Sequence, residues 1–231
     1  MLKNLILNHY NTPSNKSLQA RKTYSGAAIA LAWPETNCKQ TGAWYDYIMK
    51  KTGFNKDGYY QVGHAAVILV HPVSGNCFYF DFGRYHAPPG FGRVRDTSTD
   101  HDLRLNSKLF LQEDMSLQID SLLEEVQSNE STHGCGPVQA GWINIQFDKA
   151  LARAKKIQDA CPKKYGPFEI NGTNCSRFVA DVLRAGGIPL STSVQMFLPY
   201  IITPSPASVV KALAKNISYE KNYITSHVQS S

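Results

Sequence analysis

Of the five cysteines in this 231-residue chain, Cys175 is the one placed to act as a nucleophile. It follows Gly172-Thr173-Asn174 and is succeeded by Phe178, Val179, Val182 and Leu183. These positions fall at i, i+3, i+4, i+7 and i+8, so Cys175 shares the inward face of a helix and lies in its first turn. Unpaired N–H groups and the helix dipole stabilise negative charge there, which lowers a thiol pKa. The same N–H groups can hold the oxyanion formed when a thiolate attacks a carbonyl. The competing reading is a small buried side chain, the ordinary fate of a free cysteine. Cys38 beside Asn37, Cys77 on a hairpin, Cys135 between glycines and Cys161 before a proline all lack a helix-start position. Five widely spaced cysteines without a Cys-x-x-Cys pair argue against a disulfide framework and against a thiolate zinc site.

A thiol of this kind needs a base. His64 sits in Val62-Gly63-His64-Ala65-Ala66-Val67-Ile68-Leu69-Val70, an apolar strand where an imidazole needs a hydrogen-bond partner. It is either a satisfied core histidine or a base. A turn, His71-Pro72-Val73-Ser74-Gly75-Asn76, leads into a second strand, Cys77-Phe78-Tyr79-Phe80-Asp81-Phe82, so the two should form an antiparallel hairpin. With the turn centred near Val73, His64 lies opposite the region from Asp81 to Gly83. Asp81, an acid between two phenylalanines, could then fix the imidazole tautomer as the third member of a triad. Its alternative role is a strand-end pair with Arg84, and His86 competes for the third position. His71, His101, His133, His9 and His227 fall in turns, polar loops or the termini. His64, His71, Cys77 and His86 match no metal-ligand spacing, so neither metal nor cofactor is expected.

The elements that must position these groups are legible in outline. The apolar run from Gly26 to Trp33, ended by Pro34, reads as a buried strand. Trp44 to Lys51 has helical spacing and stops at Gly53. Residues 84–102 form a Gly/Pro-rich loop with at most a short strand around Val94. A further strand is expected from Leu103 to Phe110, an amphipathic helix from Ser116 to Val126, a short strand from Trp142 to Ile145, and a helix from Phe147 to Asp159. The Cys175 helix ends at Gly186-Gly187 before Pro189. A last helix is expected from Ser205 to Ala214. One domain over 22–215 is expected between a loose lead-in, 1–21, and a polar tail, 216–231.

Hydrophobic residues make up 42% and charged residues 18%, the balance of an ordinary water-soluble globular protein. No run approaches the length of a membrane helix, and the N-terminus lacks a signal-peptide cleavage site, so a cytoplasmic location is expected. The net charge of +6 is dispersed, with no basic stripe interleaved with aromatics, so a nucleic-acid partner is not expected.

The combination of Gly63-His64-Ala65 on a strand, a hairpin, and Asn174-Cys175-Ser176-Arg177-Phe178-Val179 opening a helix resembles the circularly permuted NlpC-like branch of the papain fold. In that branch the histidine precedes the cysteine, as here, and lecithin retinol acyltransferase-like proteins share its Asn-Cys-x-x-Phe-Val motif. The segment from Ala27 to Lys215 further resembles an uncharacterised bacterial family within the branch, through Leu31-Ala32-Trp33-Pro34-Glu35-Thr36 and Phe80-Asp81-Phe82-Gly83-Arg84-Tyr85. The resemblance implies an α+β papain-like fold, with an antiparallel sheet packed against the nucleophile helix.

It also implies that His64 takes the proton of Cys175 and that an acyl-enzyme forms on a peptide, amide or ester substrate. The oxyanion would then rest on backbone N–H groups helped by Tyr165 or Asn174. Arg84, Arg93 and Arg95 are candidates for gripping an anionic substrate group, or simply a solvated basic loop. Acyl transfer or lipid hydrolysis is the alternative chemistry, with Val194 to Ile202 as the apolar segment a lipid enzyme would use. A catalytically silent binding module would instead keep Cys175 away from His64.

Overall fold

Eight consecutive residues, Gly26–Trp33, form strand β1, and every one of their side chains is buried. A continuous apolar strand of this kind needs cover on both faces of its sheet. The structure, a computed structural model, describes residues 25–204 apart from 34–35, 41–44, 52–54, 62, 112–114, 133–137, 167–171, 191–194 and 199–200. The expected lead-in over 1–21, the helix from Ser205 to Ala214, the tail and Cys135 lie outside the described residues.

After β1 come β2 (Asn37–Lys39), α1 (Tyr45–Lys51), β3 (Asn55–Lys56), β4 (Tyr59–Gln61), β5 (His64–Val70), β6 (Cys77–Gly83) and β7 (Phe91–Arg95). The chain continues through α2 (Met115–Ser128), β8 (Gln139–Ile145), α3 (Phe147–Asp159), β9 (Lys163–Lys164) and α4 (Cys175–Ala185). A hairpin, β10 (Gln195–Leu198) and β11 (Ile201–Pro204), follows, with β11 against α4. This is an α+β arrangement around a six-stranded antiparallel sheet in the order β8-β1-β5-β6-β7-β9.

The two faces of the sheet carry separate cores. On one, Ala28, Ala30, Ala32, Ala65, Val67, Leu69, Phe80 and Phe82 pack against α3 and α4. On the other, Ile29, Leu31, Ala66, Ile68, Val70 and Tyr79 pack beneath Ile119, Leu122, Leu123 and Val126 of α2. The small residues of β1 and β5 let the helices approach, while burial of each large aliphatic side chain contributes roughly 1.5–3 kcal/mol.

The β5–β6 hairpin pairs Ala66 with Asp81 and Val70 with Cys77, the register that a turn near Val73 requires. Gly75 takes a left-handed φ of 67° in that turn, and a Cβ there would meet the Leu109 carbonyl oxygen at 2.8 Å. The strand expected over Leu103 to Phe110 is not formed. A short 3-10 turn, His101–Leu103, and a single bridge between Asn76 and Lys108 stand in its place. Leu103, Leu105 and Leu109 anchor this segment in the α2-side core. The Asn106 and Ser107 N–H groups donate to the Glu125 carboxylate, at 2.6 and 2.9 Å, instead of to a neighbouring strand. Among the described residues no helix is long and apolar enough to cross a membrane.

Candidate active site

Helix α4 is built to hold its first residue still. Asn174 has extended backbone (φ −139°), and its side-chain oxygen accepts from the Arg177 N–H at 2.9 Å, an N-cap. At the other end Gly187 takes φ 94°, with its N–H donating to the Arg184 carbonyl and the Ile188 N–H to Leu183. That pattern is a Schellman cap, for which glycine is suited. Between the caps Cys175, Phe178, Val179, Val182 and Leu183 are all buried on the inward stripe. Cys175 is thus fixed in the first turn, its sulfur 3.9 Å from the Ser176 hydroxyl.

His64 opens β5, immediately after Gly63, which takes φ 71° to turn the chain into the strand. Strand alternation points His64 to the face that carries Asp81, whereas Cys175 belongs to the core on the opposite face. His64 is nonetheless the first residue of its strand, and the two groups act on each other's charge. The His64 imidazole and the Ala65 backbone N–H both act on the Cys175 thiol. The Asp81 carboxylate lies 3.2 Å from Nε2 of the same ring, and the Tyr85 hydroxyl is also 3.2 Å from Nε2. Trp33, paired with His64 on β1, and Tyr85 lie beside the ring, at centroid distances of 5.9 and 6.3 Å.

Asp81 is fully buried and fully engaged. Arg95 grips both of its oxygens, Nε to Oδ1 at 3.0 Å and Nη2 to Oδ2 at 2.7 Å. Tyr85 and Tyr79 donate hydroxyls to Oδ2 at 2.8 and 3.2 Å. The Arg95 guanidinium also donates to the Ser131 carbonyl at 3.0 Å and lies 3.5 Å from the centre of the Tyr85 ring. Gly83 is what admits Tyr85, since a Cβ there would come within 2.4 Å of its ring.

The charges follow from this geometry. Burial opposes a charge on His64, but hydrogen bonds to Asp81 and Cys175, and their negative charge, outweigh it and raise the imidazole pKa to about 9. Burial likewise opposes a thiolate at Cys175, yet the hydrogen bond and positive charge of His64, with the Ala65 N–H, lower its pKa below the usual thiol value. Asp81 is held far below the carboxylate range because His64 and Arg95 together overcome its burial. The arrangement favours an imidazolium–thiolate pair backed by an ionised carboxylate. The other described thiols behave oppositely, for burial pushes Cys77 up to about 12 and Cys161 upward as well.

The remaining expected site residues are placed elsewhere or differently. The Asn174 side-chain oxygen caps α4. Tyr165 stacks on Phe82 at 5.8 Å, and the Arg84 guanidinium lies over its ring at 5.8 Å. Arg84 donates to the backbone carbonyls of Lys39 and Gln40, not to Asp81. His86, at φ 49°, lines a cleft of about 260 Å³ with Arg93, Gln158 and Cys161, which contains neither His64 nor Cys175. The third position beside the imidazole is therefore filled by Asp81 and not by His86. Arg93 and Arg95 do not wait for a substrate anion, because each forms a two-point pair with a carboxylate of this chain, Asp100 and Asp81. Tyr85 and Tyr79 are the site residues that sequence reasoning missed. Tyr79 alternates with Asp81 on β6 and could have been found from that spacing, whereas no local pattern marks Tyr85.

A family model described as type VI secretion system effector TseH-like matches residues 28–187. The crystal structure of a type VI secretion system effector, TseH, is similar with a TM-score of 0.53 at 19% identity, over 88% of this chain and 94% of that one. At that identity the likeness is one of fold. No curated protein matches the chain.

Proposed function

This chain belongs to the type VI secretion system effector TseH-like family, and from that premise we propose that it is a papain-like cysteine hydrolase cleaving an amide or ester bond. The observation that carries the proposal is a cysteine opening a capped helix and acted on by an imidazole whose Nε2 meets a buried carboxylate. A catalytically silent module has no need of a thiolate held against an imidazolium. The histidine-before-cysteine order is that of the permuted NlpC-like branch.

In the proposed mechanism the Cys175 thiolate attacks the substrate carbonyl carbon. The oxyanion is received by the amides that open α4. The cap already occupies the Arg177 N–H through the Asn174 side chain and the Phe178 N–H through the Asn174 carbonyl, which leaves the Cys175 and Ser176 amides for this task. His64 then gives its proton to the departing amine or alkoxide as the carbonyl re-forms, producing a thioester on Cys175. Neutral His64 next takes a proton from water, the hydroxide attacks the thioester, and the acid product leaves with the thiolate restored. Asp81 stays ionised throughout and orients the imidazole through Nε2.

The pH dependence of acylation tests this reading. His64 is protonated below about pH 9 and loses its proton above it, so the acid needed by a poor leaving group is present below that value and lost beyond it. Acylation by an alkyl ester, followed by mass spectrometry of the Cys175 adduct, is expected to decline above about pH 9. An acylation rate that climbs with hydroxide straight through that region would count against His64 as the proton donor.

A further inference from the structure

We propose that Arg95 is the charge-balancing and positioning residue of the site, holding Asp81 in place and keeping the buried Cys175–His64–Asp81 group electrically neutral. The inference rests on the Cys175–His64 reading above. Its starting point is burial: Cys175 is 6% exposed, His64 4%, Asp81 0% and Arg95 8%. A thiolate, an imidazolium and a carboxylate sum to one negative charge, and an uncompensated charge in such surroundings is strongly disfavoured. The guanidinium makes the sum zero. It binds both carboxylate oxygens, so the carboxylate plane is fixed as well as its charge.

Other groups around the cluster cannot supply that charge. Tyr79 of β6 and Tyr85 beyond it face Asp81 as neutral hydroxyl donors. On β7 the neighbouring cation, Arg93, is committed to Asp100, at 2.7 and 2.8 Å. Arg95 is itself braced from two directions, by the Ser131 carbonyl and by the Tyr85 ring. That bracing is what a lysine ammonium, a point charge without a planar fork, would not reproduce.

Charge and orientation separate experimentally. Removing a cation from a buried group raises the pKa of every member, so thiolate appears later as pH rises. The test is the pH at which Cys175 is half as reactive toward iodoacetamide as on its plateau, measured by peptide mapping in parent protein, R95M, R95K and the double variant D81N/R95M. R95M is expected to shift that midpoint upward by about one pH unit. R95K keeps the charge and should leave the midpoint within about 0.3 unit while ester hydrolysis falls about tenfold from the lost fork. The double variant removes cation and anion together and should return the midpoint to within about half a unit of the parent.

An unshifted R95M, an R95K shifted as far as R95M, or a double variant as alkaline as R95M would each overturn the proposal. If R95M does not fold, the double variant alone carries the test, and a midpoint about one unit above the parent's would overturn it. A parent protein without any low-pH midpoint overturns the Cys175–His64 reading instead, so the two failures are distinct.

Discussion

Cys175→Ala is expected to lower kcat/KM for ester hydrolysis by about 10⁴-fold or more, with no acyl adduct formed on the protein. The size follows from the site having one nucleophile. In the proposed mechanism His64 and Asp81 act as proton carrier and orienting partner, so neither replaces the nucleophile. Cys175→Ser should be nearly as inactive. His64 lowers the thiol pKa, whereas a serine hydroxyl in the same buried position stays protonated. Stability should change little, since the substitution removes one small atom from a capped helix whose other inward residues remain, a cost of about 1 kcal/mol. Cys77→Ala and Cys161→Ala serve as controls and should keep hydrolysis near the parent rate, because burial raises both thiols away from reactivity. Hydrolysis by Cys175→Ala within tenfold of the parent would place the chemistry elsewhere.

Asp81→Ala is expected to have the largest effect on folding, about 3–5 kcal/mol by urea denaturation. Five hydrogen bonds converge on this carboxylate, from His64, Tyr79, Tyr85 and two nitrogens of Arg95. Removing it strands a buried guanidinium, two buried hydroxyls and an imidazole. The loss is therefore mostly the cost of groups left unpaired and not the strength of any one bond. Asp81→Asn keeps the volume and part of the hydrogen bonding but still strands the Arg95 charge, so it should fall between parent and alanine. In either variant the imidazole loses its anchor, and ester hydrolysis should drop about 10²- to 10⁴-fold. Unfolding of Asp81→Ala at the parent's urea midpoint would mean that the carboxylate cluster does not hold β5, β6 and β7 together.

Much of this arrangement could be read along the chain. β1, α3 and α4 have the bounds expected from Gly26 to Trp33, Phe147 to Asp159 and Cys175 to Ala185, because each is a strong periodic or apolar run with its own stop signal. The hairpin register followed from one turn, His71 to Asn76, and it brought Asp81 to His64. What escaped depends on contacts between distant segments. Nothing local distinguishes Arg95, buried against Asp81, from Arg84, which lies over Tyr165 at the surface, since both sit in the same basic Gly/Pro-rich stretch. Tyr85 becomes a site residue only because Gly83 makes room for its ring. The pairing of β8 with β1 joins segments more than a hundred residues apart in sequence, beyond any periodicity. Leu103 to Phe110 read as a strand because its leucines are spaced to be buried, but a helix side chain, Glu125, takes the N–H groups that a neighbouring strand would have used.

The central claim is that His64 makes Cys175 a thiolate at neutral pH, and the most direct measurement is the pH profile of Cys175 alkylation in parent protein and in His64→Ala. In the parent, the midpoint of reactivity toward iodoacetamide should lie below the free-cysteine value of about 8.5, because the imidazolium holds the thiol below its usual pKa. Without the imidazole, burial alone governs the thiol, and the midpoint should move above the free-cysteine value of about 8.5. Superimposable profiles for the two proteins, or a parent thiol that reacts only at alkaline pH, would contradict it.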